Sequence, residues 1–388
     1  MITMITLPRL RSALMFPALL LAMVALTIPA PPATAATVQR IHMSPTGNDA
    51  NDGSQASPVR TLQRVQAIVA QTNLSADVEV RIAGGTYVQS PVTWTTYRPG
   101  HTISFMPADY TPGEGRDGFD TMPIFENKRA DGSGRYLTGA WLTACLPSDG
   151  PLSEGGDGGL RFYYLQVQKY ANAGLSITGT GRCSGSYAPS SGPGQPSARG
   201  LDGTTVFGMV FTDIGNLYTG GRCDTPDFLR CGYGGIVLTE SSHNSIRNNH
   251  FIDLRNSENS YIHALYITHK SSHNTFHNNN VTGVSAGPVK VRDASNFNSI
   301  EYNTFGANHF HSRTITTAHY DEQVATSAGE CSSYGNRFAY NDLGTYLINS
   351  SANLPAWMMT GDARWKGSDH CPDLPSDRSR LTTAGNYY

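Results

Sequence analysis

Eight of the twelve histidines fall between His243 and His311, and the same stretch is rich in cations. Thr268-His269-Lys270-Ser271 is followed by Val289-Lys290-Val291-Arg292-Asp293, which places Arg292 22 positions after Lys270 (292 − 270). A basic side chain near an arginine suits removal of a weakly acidic C–H proton beside a carboxylate. The base must be neutral to accept the proton, and neighbouring cations depress a lysine's pKa. Fixed cations also stabilise the enolate-like anion as it forms. Arginine hardly deprotonates, so Arg292, with Lys290, fits charge stabilisation. Lys270 and His269 are the candidate bases, the histidine having the ordinary pKa nearer neutrality. Tyr266, Lys290, Asp293 and His263 complete the candidate face as substrate-binding groups. The same residues also fit a structural role, with Lys270 a solvated turn lysine and Arg292–Asp293 a surface ion pair. His269, His273 and His277 have no helix to align them, which argues against a metal site.

Residues so far apart in sequence share a face only if the elements carrying them repeat. The pattern Asn-x-apolar-x-x-Asn-x-apolar occurs four times: Asn244, Ile246, Asn249, Phe251; Asn274, Phe276, Asn279, Val281; Asn298, Ile300, Asn303, Phe305; and Asn336, Phe338, Asn341, Leu343. The copies start 30, 24 and 38 residues apart (274 − 244, 298 − 274, 336 − 298). Ile236-Val237-Leu238, Leu265-Tyr266-Ile267 and Val289-Lys290-Val291 alternate with period two, the signature of strands. Short strands at this repeat length predict an all-β solenoid, a right-handed parallel β-helix, with the asparagines stacked in ladders at the turns. Alignment on the apolar positions puts Val237, Tyr266 and Lys290 in one outer row and Thr239, Thr268 and Arg292 in another. Thr204–Ile214 reads as a further coil without asparagines, its Val206, Phe211 and Ile214 lying 40 positions before Ile246, Phe251 and Leu254.

The rest of the chain reads as one exported solenoid. Residues 1–36 form a signal peptide: Arg9 and Arg11, an apolar run from Ala13 to Ile28, and a small-residue site at Ala33-Thr34-Ala35. Removing those two arginines leaves 26 basic against 30 acidic residues, about −4, which argues against nucleic-acid binding. No later stretch approaches the roughly 18 apolar residues of a membrane span. Residues 37–388 then form a single domain. It comprises a cap over 37–80 with an N-capped helix at Thr61, a Gly/Ser/Pro-rich loop over 180–203, and a covering segment over about 348–388. Six cysteines in an exported chain suggest disulfides, with Cys223–Cys231 the favoured pair. Asp49, Asn51 and Asp52 fit an Asx-rich turn better than a calcium site.

The opening Ser44-Pro45-Thr46-Gly47-Asn48-Asp49, with Gly85-Thr86-Tyr87 soon after, resembles the N-terminal cap of secreted pectate-lyase-like β-helix proteins. Thr268-His269-Lys270-Ser271-Ser272, then Gly287-Pro288-Val289-Lys290-Val291-Arg292-Asp293 and Asn298-Ser299-Ile300, is similar to the active-site coils of the alginate lyase and chondroitinase B family. The resemblance covers about 45 residues of 388. It implies that Lys270 abstracts the C5 proton of a uronic acid, that Arg292 assists at the charged centre, and that the ligand is an acidic polysaccharide. Many family members place two glutamates before that lysine to hold calcium; the corresponding positions here are Leu265 and His263, so calcium ligands are not identifiable and no cofactor is assigned. The expectation is a secreted, monomeric polysaccharide lyase acting by β-elimination. A β-helix glycoside hydrolase would need two carboxylates about 5–9.5 Å apart, and the nearest acids in the aligned coils are Glu240, Asp253, Asp293 and Glu301. A noncatalytic polysaccharide-binding or surface protein and a β-helix family with a chemistry of its own are the remaining alternatives.

Overall fold

Short strands with one apolar row can bury it only by stacking on copies of themselves. The computed structural model shows this arrangement. It describes residues 38–71, 75–130, 132, 134–146, 152, 155–179, 200–223, 231–257, 261–307, 318–325, 329–344, 354–361, 371 and 379–388. The expected signal peptide and most of the 180–203 loop lie outside these residues.

Each regular coil contributes one strand to each of three sheets. Ser245–Arg247, His250–Leu254 and His263–Thr268 are succeeded by Thr275–His277, Asn280–Thr282 and Val289–Arg292, every pair parallel. Among the described residues the sheets have ten, seven and eight strands. The chain is therefore a parallel β-helix, as expected. Val206, Ile246, Phe276, Ile300 and Phe338 form one buried row inside it, and Phe211, Phe251, Val281 and Phe305 another. Helix Leu62–Gln71 buries Leu62, Val65, Ile68 and Val69 over the first coils. Thr61 caps it: its Oγ1 accepts from Arg64 N at 3.2 Å. Asp49 holds that cap, accepting from Thr61 Oγ1 at 2.7 Å.

The asparagines form two continuous ladders. Asn244, Asn274 and Asn298 each donate Nδ2 to the Oδ1 of the next, ending on Asn336, at 2.8–3.1 Å. Asn249, Asn279, Asn303 and Asn341 do the same, ending on Asn386, at 2.9–3.0 Å. Each Oδ1 also accepts the preceding coil's backbone N–H, so the ladders satisfy groups that the tight turns leave unpaired. The coil without asparagines is served from its neighbour: Thr204 N and Met209 N donate to Asn244 and Asn249 Oδ1, both at 2.9 Å.

Within the expected covering segment, Trp357–Thr360 and Leu381–Ala384 form strands that extend two sheets. The favoured cysteine pair is corrected. Cys331 is bonded to Cys371 and Cys145 is disulfide-bonded, whereas Cys223 and Cys231 are buried thiols. The Cys231 thiol donates to the Cys223 carbonyl at 3.4 Å. Among the described residues no helix is long and apolar enough to cross a membrane.

Candidate functional site

The eight-stranded sheet carries the candidate face. Val237 pairs with Tyr266, Tyr266 with Lys290, and Lys290 with Asp321, in the register expected for the first three. At the start of the middle strand, Ala264 N and Leu265 N both donate to Pro288 O, at 2.9 and 3.1 Å. Ala264 and Leu265 are both buried in the core. The His263 and Tyr266 ring centroids are 5.6 Å apart.

Two ion pairs lie across this face. Lys290 Nζ donates to Asp321 Oδ2 at 2.6 Å. Arg292 donates through Nε and Nη2 to the Glu330 carboxylate, and through Nη1 to Tyr266 Oη at 3.1 Å. Burial opposes the charge on Arg292, but Tyr266 and Glu330 outweigh it and keep the guanidinium ionised. For Lys290 burial dominates and lowers the pKa, with Asp321 opposing. His263 is neutral: burial first, then Lys290, push it down to about 3. Its Nδ1–H donates to Gly287 O at 2.6 Å, which fixes the tautomer.

At the strand end the backbone turns through left-handed residues His269 and Lys270 (φ 50° and 61°), and one coil on through Asp293 and Ala294. The stacked turns bring His269 Nδ1 to 2.8 Å from Asp293 Oδ2. Cys331 N donates to the other carboxylate oxygen at 3.1 Å. Burial would raise the Asp293 pKa, but the hydrogen bonds from His269 and Cys331 N and the charge of Lys270 hold it low. An ionised aspartate on Nδ1–H leaves Nε2 as the accepting atom of His269, the tautomer a general base needs. Lys270 N donates to the Asp293 carbonyl at 2.8 Å, tying this turn to the next.

All seven residues singled out from the sequence therefore lie on two adjacent strands and their turns. Three readings change. Arg292 and Asp293 are not partners of one another: Glu330 takes the arginine and His269 the aspartate. Tyr266 and Lys290 lie on the outer side of the sheet but are only 8% and 9% exposed, whereas His269, Lys270 and Arg292 are partly exposed. Besides Asp293, the acids bonded to the cations of this face are Asp321 and Glu330, neither of which the sequence singles out. Glu240 is itself buried at the end of the preceding coil, while Asp253 and Glu301 belong to the other two sheets. Asp321 sits in a strand, Tyr320–Gln323, whose inward Glu322 is fully buried against Arg380, so hydrophobic alternation does not reveal it. Glu330 comes from a loop with no repeat signal. Leu265 is in the core and His263 offers one neutral nitrogen, so the two positions do not fit a hard, oxygen-seeking calcium ion. Among the described residues no cluster of three or more His, Cys, Asp or Glu is arranged to hold a metal.

No protein-family model matches the sequence, and no curated protein matches it. Among solved structures the chain is similar to a rhamnogalacturonan lyase, at 15% identity over 80% of this chain and 70% of that one, TM-score 0.43. It is similar to an alginate lyase from Paenibacillus sp. strain FPU-7, at 11% identity over 90% and 94% of the two chains, TM-score 0.46. It is also similar to a glycoside hydrolase, at 8% identity over 90% and 96%, TM-score 0.33. None of these likenesses assigns a residue a role, and the site rests on the contacts described above.

Proposed function

We propose that the protein is a secreted carbohydrate-active enzyme that cleaves uronate-containing polysaccharide by β-elimination at the His269–Arg292 face. The observation that supports it is the pairing of an aspartate-oriented histidine with a fixed, partly exposed guanidinium at the ends of adjacent strands. An arginine has five N–H donors. Glu330 engages two and Tyr266 one. The two that remain, one on Nη1 and one on Nη2, are donors for a substrate carboxylate and for the charge that develops on it.

In this reading His269 Nε2 takes the proton from the carbon beside the carboxylate. The C–H electrons form the new double bond, the neighbouring carbon–oxygen bond breaks, and the imidazolium returns its proton to the leaving oxygen. Asp293 positions the histidine; Tyr266 and Glu330 position Arg292. Lys290, matched by Asp321, packs in the sheet beside Tyr266 and helps hold the face in place. Lys270, the base implied by family resemblance, acts instead through its charge on Asp293. A glycoside hydrolase built on Asp321 and Glu330 is disfavoured, because both carboxylates are buried and each holds a cation.

The test is incubation of the purified protein with a panel of polyuronates. Ultraviolet absorbance from an unsaturated uronate supports elimination. Reducing ends without that chromophore mean hydrolysis and overturn the proposal.

A further inference from the structure

A second cleft lies on the side of the seven-stranded sheet, away from the His269–Arg292 face. Its floor is made where successive coils stack the left-handed residues Lys169 and Asp213 (φ 61° and 51°) just past their strands. One wall comes from the chain after Pro123–Asn127, where Arg129 pairs antiparallel with Tyr136. The other is the short helix Asn216–Thr219, joined to the first wall by Tyr136 N donating to Thr219 O at 3.1 Å. The cleft has a volume of about 470 Å³, within the range of small-ligand sites.

Its cations are already engaged. Lys169 Nζ donates to Glu126 Oε2 at 3.1 Å. The Arg129 guanidinium lies 4.6 Å from the Tyr136 ring centroid and donates to Gly134 O at 2.6 Å. Asp213 lines the cleft beside these two cations, so its wall offers charged and hydrogen-bonding groups of both kinds. Among the described residues no hydrogen bond reaches the half-buried Asp213 carboxylate, which is left as an acceptor. Burial, then Asp253, push the Tyr218 hydroxyl up to about 12, so it stays a donor. Beside them Leu217 is 45% exposed, an apolar surface in a polar setting.

An acceptor, a donor and an apolar wall in one cleft match a pyranose ring, which presents hydroxyls at its edge and C–H groups on its face. We infer that this cleft binds a neutral sugar unit of an oligosaccharide, as a site separate from the His269–Arg292 face. Its occupancy does not depend on any elimination chemistry there.

The test is calorimetric titration of the whole protein with cellohexaose, mannohexaose and β-1,4-galactohexaose. At least one should bind with a millimolar or tighter Kd. Asp213→Asn tolerates the left-handed backbone and removes one anionic acceptor, and Tyr218→Phe removes the donor. Each should weaken binding about tenfold, while His269→Ala leaves it unchanged. Three outcomes overturn the inference: no hexaose binds, both cleft variants bind like the wild type, or His269→Ala weakens binding as much as they do. Elimination on a polyuronate should persist in Asp213→Asn, so the two sites fail independently.

Discussion

Replacing Asn274 by alanine isolates what the ladders contribute. The side chain is buried and makes four hydrogen bonds. Oδ1 accepts from Asn244 N at 3.0 Å and Asn244 Nδ2 at 2.8 Å; Nδ2 donates to Ser241 O at 3.2 Å and Asn298 Oδ1 at 2.9 Å. Two of those partners keep another bond after the substitution: Asn244 Nδ2 retains Ser241 Oγ, and Asn298 Oδ1 retains Asn274 N. The Asn244 N–H and the Ser241 carbonyl lose these partners inside the coil. An unsatisfied buried polar group costs about 1–3 kcal/mol, so the loss should be about 4 kcal/mol. With an unfolding entropy of about 2.1 cal/mol/K per residue over roughly 350 residues, that corresponds to a drop in Tm of about 5 °C. Thermal unfolding by circular dichroism measures it, with the exposed Thr304→Ala as a control expected to stay within about 0.5 kcal/mol of the wild type. If Asn274→Ala melts together with that control, the ladder is not a stabilising element and the turns are satisfied in another way.

Other expectations follow from the same contacts. Lys290→Met should destabilise the fold by about 3–5 kcal/mol, because it leaves the buried Asp321 carboxylate without its cation; adding Asp321→Leu should recover most of the loss in a melt. Arg292→Ala should lower turnover on a confirmed polyuronate by about 10² or more. It should also lower Tm, since Glu330 is left uncompensated; unchanged Tm would argue against the Arg292–Glu330 pair. His263 and His319 are pushed from 6.5 to about 3 and about 4, mainly by burial. Both take up protons more readily when unfolded, so their contribution is present above pH 6.5 and is lost as pH falls toward those values, on the order of 3 kcal/mol for His319 alone. Melts at stepped pH should show Tm falling below pH 6.5, with a shallower fall in His319→Gln; a flat profile would contradict neutral burial.

The coils were legible because their signal is local and repeated. An asparagine at each end of a short apolar strand marks a turn, and the pairing of Tyr266 with Lys290 follows once strands are aligned on their apolar rows. The cap helix was legible for the same reason, from Thr61 and the apolar residues behind it. The partners of the cations were not. Tyr320-Asp321-Glu322-Gln323 has no hydrophobic alternation, because its inward Glu322 is balanced by Arg380, 58 residues away in the chain. Glu330 reaches Arg292 from an irregular loop, so spacing carries no trace of the contact. Adjacency in sequence also misled: Arg292 next to Asp293 reads as an ion pair, yet the two side chains take different partners, Glu330 and Tyr266 for the arginine and His269 for the aspartate. The cleft beside Asp213 depends on Arg129 and Tyr136, which lie where the repeat pattern is loosest.

The His269–Asp293 dyad is the centre of the functional account, and one comparison tests it most directly. On a polyuronate that the wild type converts to unsaturated product, initial rates are measured for His269→Ala and Lys270→Ala, with folding checked by Tm. The account expects His269→Ala to lose at least 10²-fold in rate, the contribution of a positioned general base, and Lys270→Ala to lose far less. A His269→Ala protein that keeps wild-type turnover, or a larger loss at Lys270, would contradict it and move the base away from the histidine.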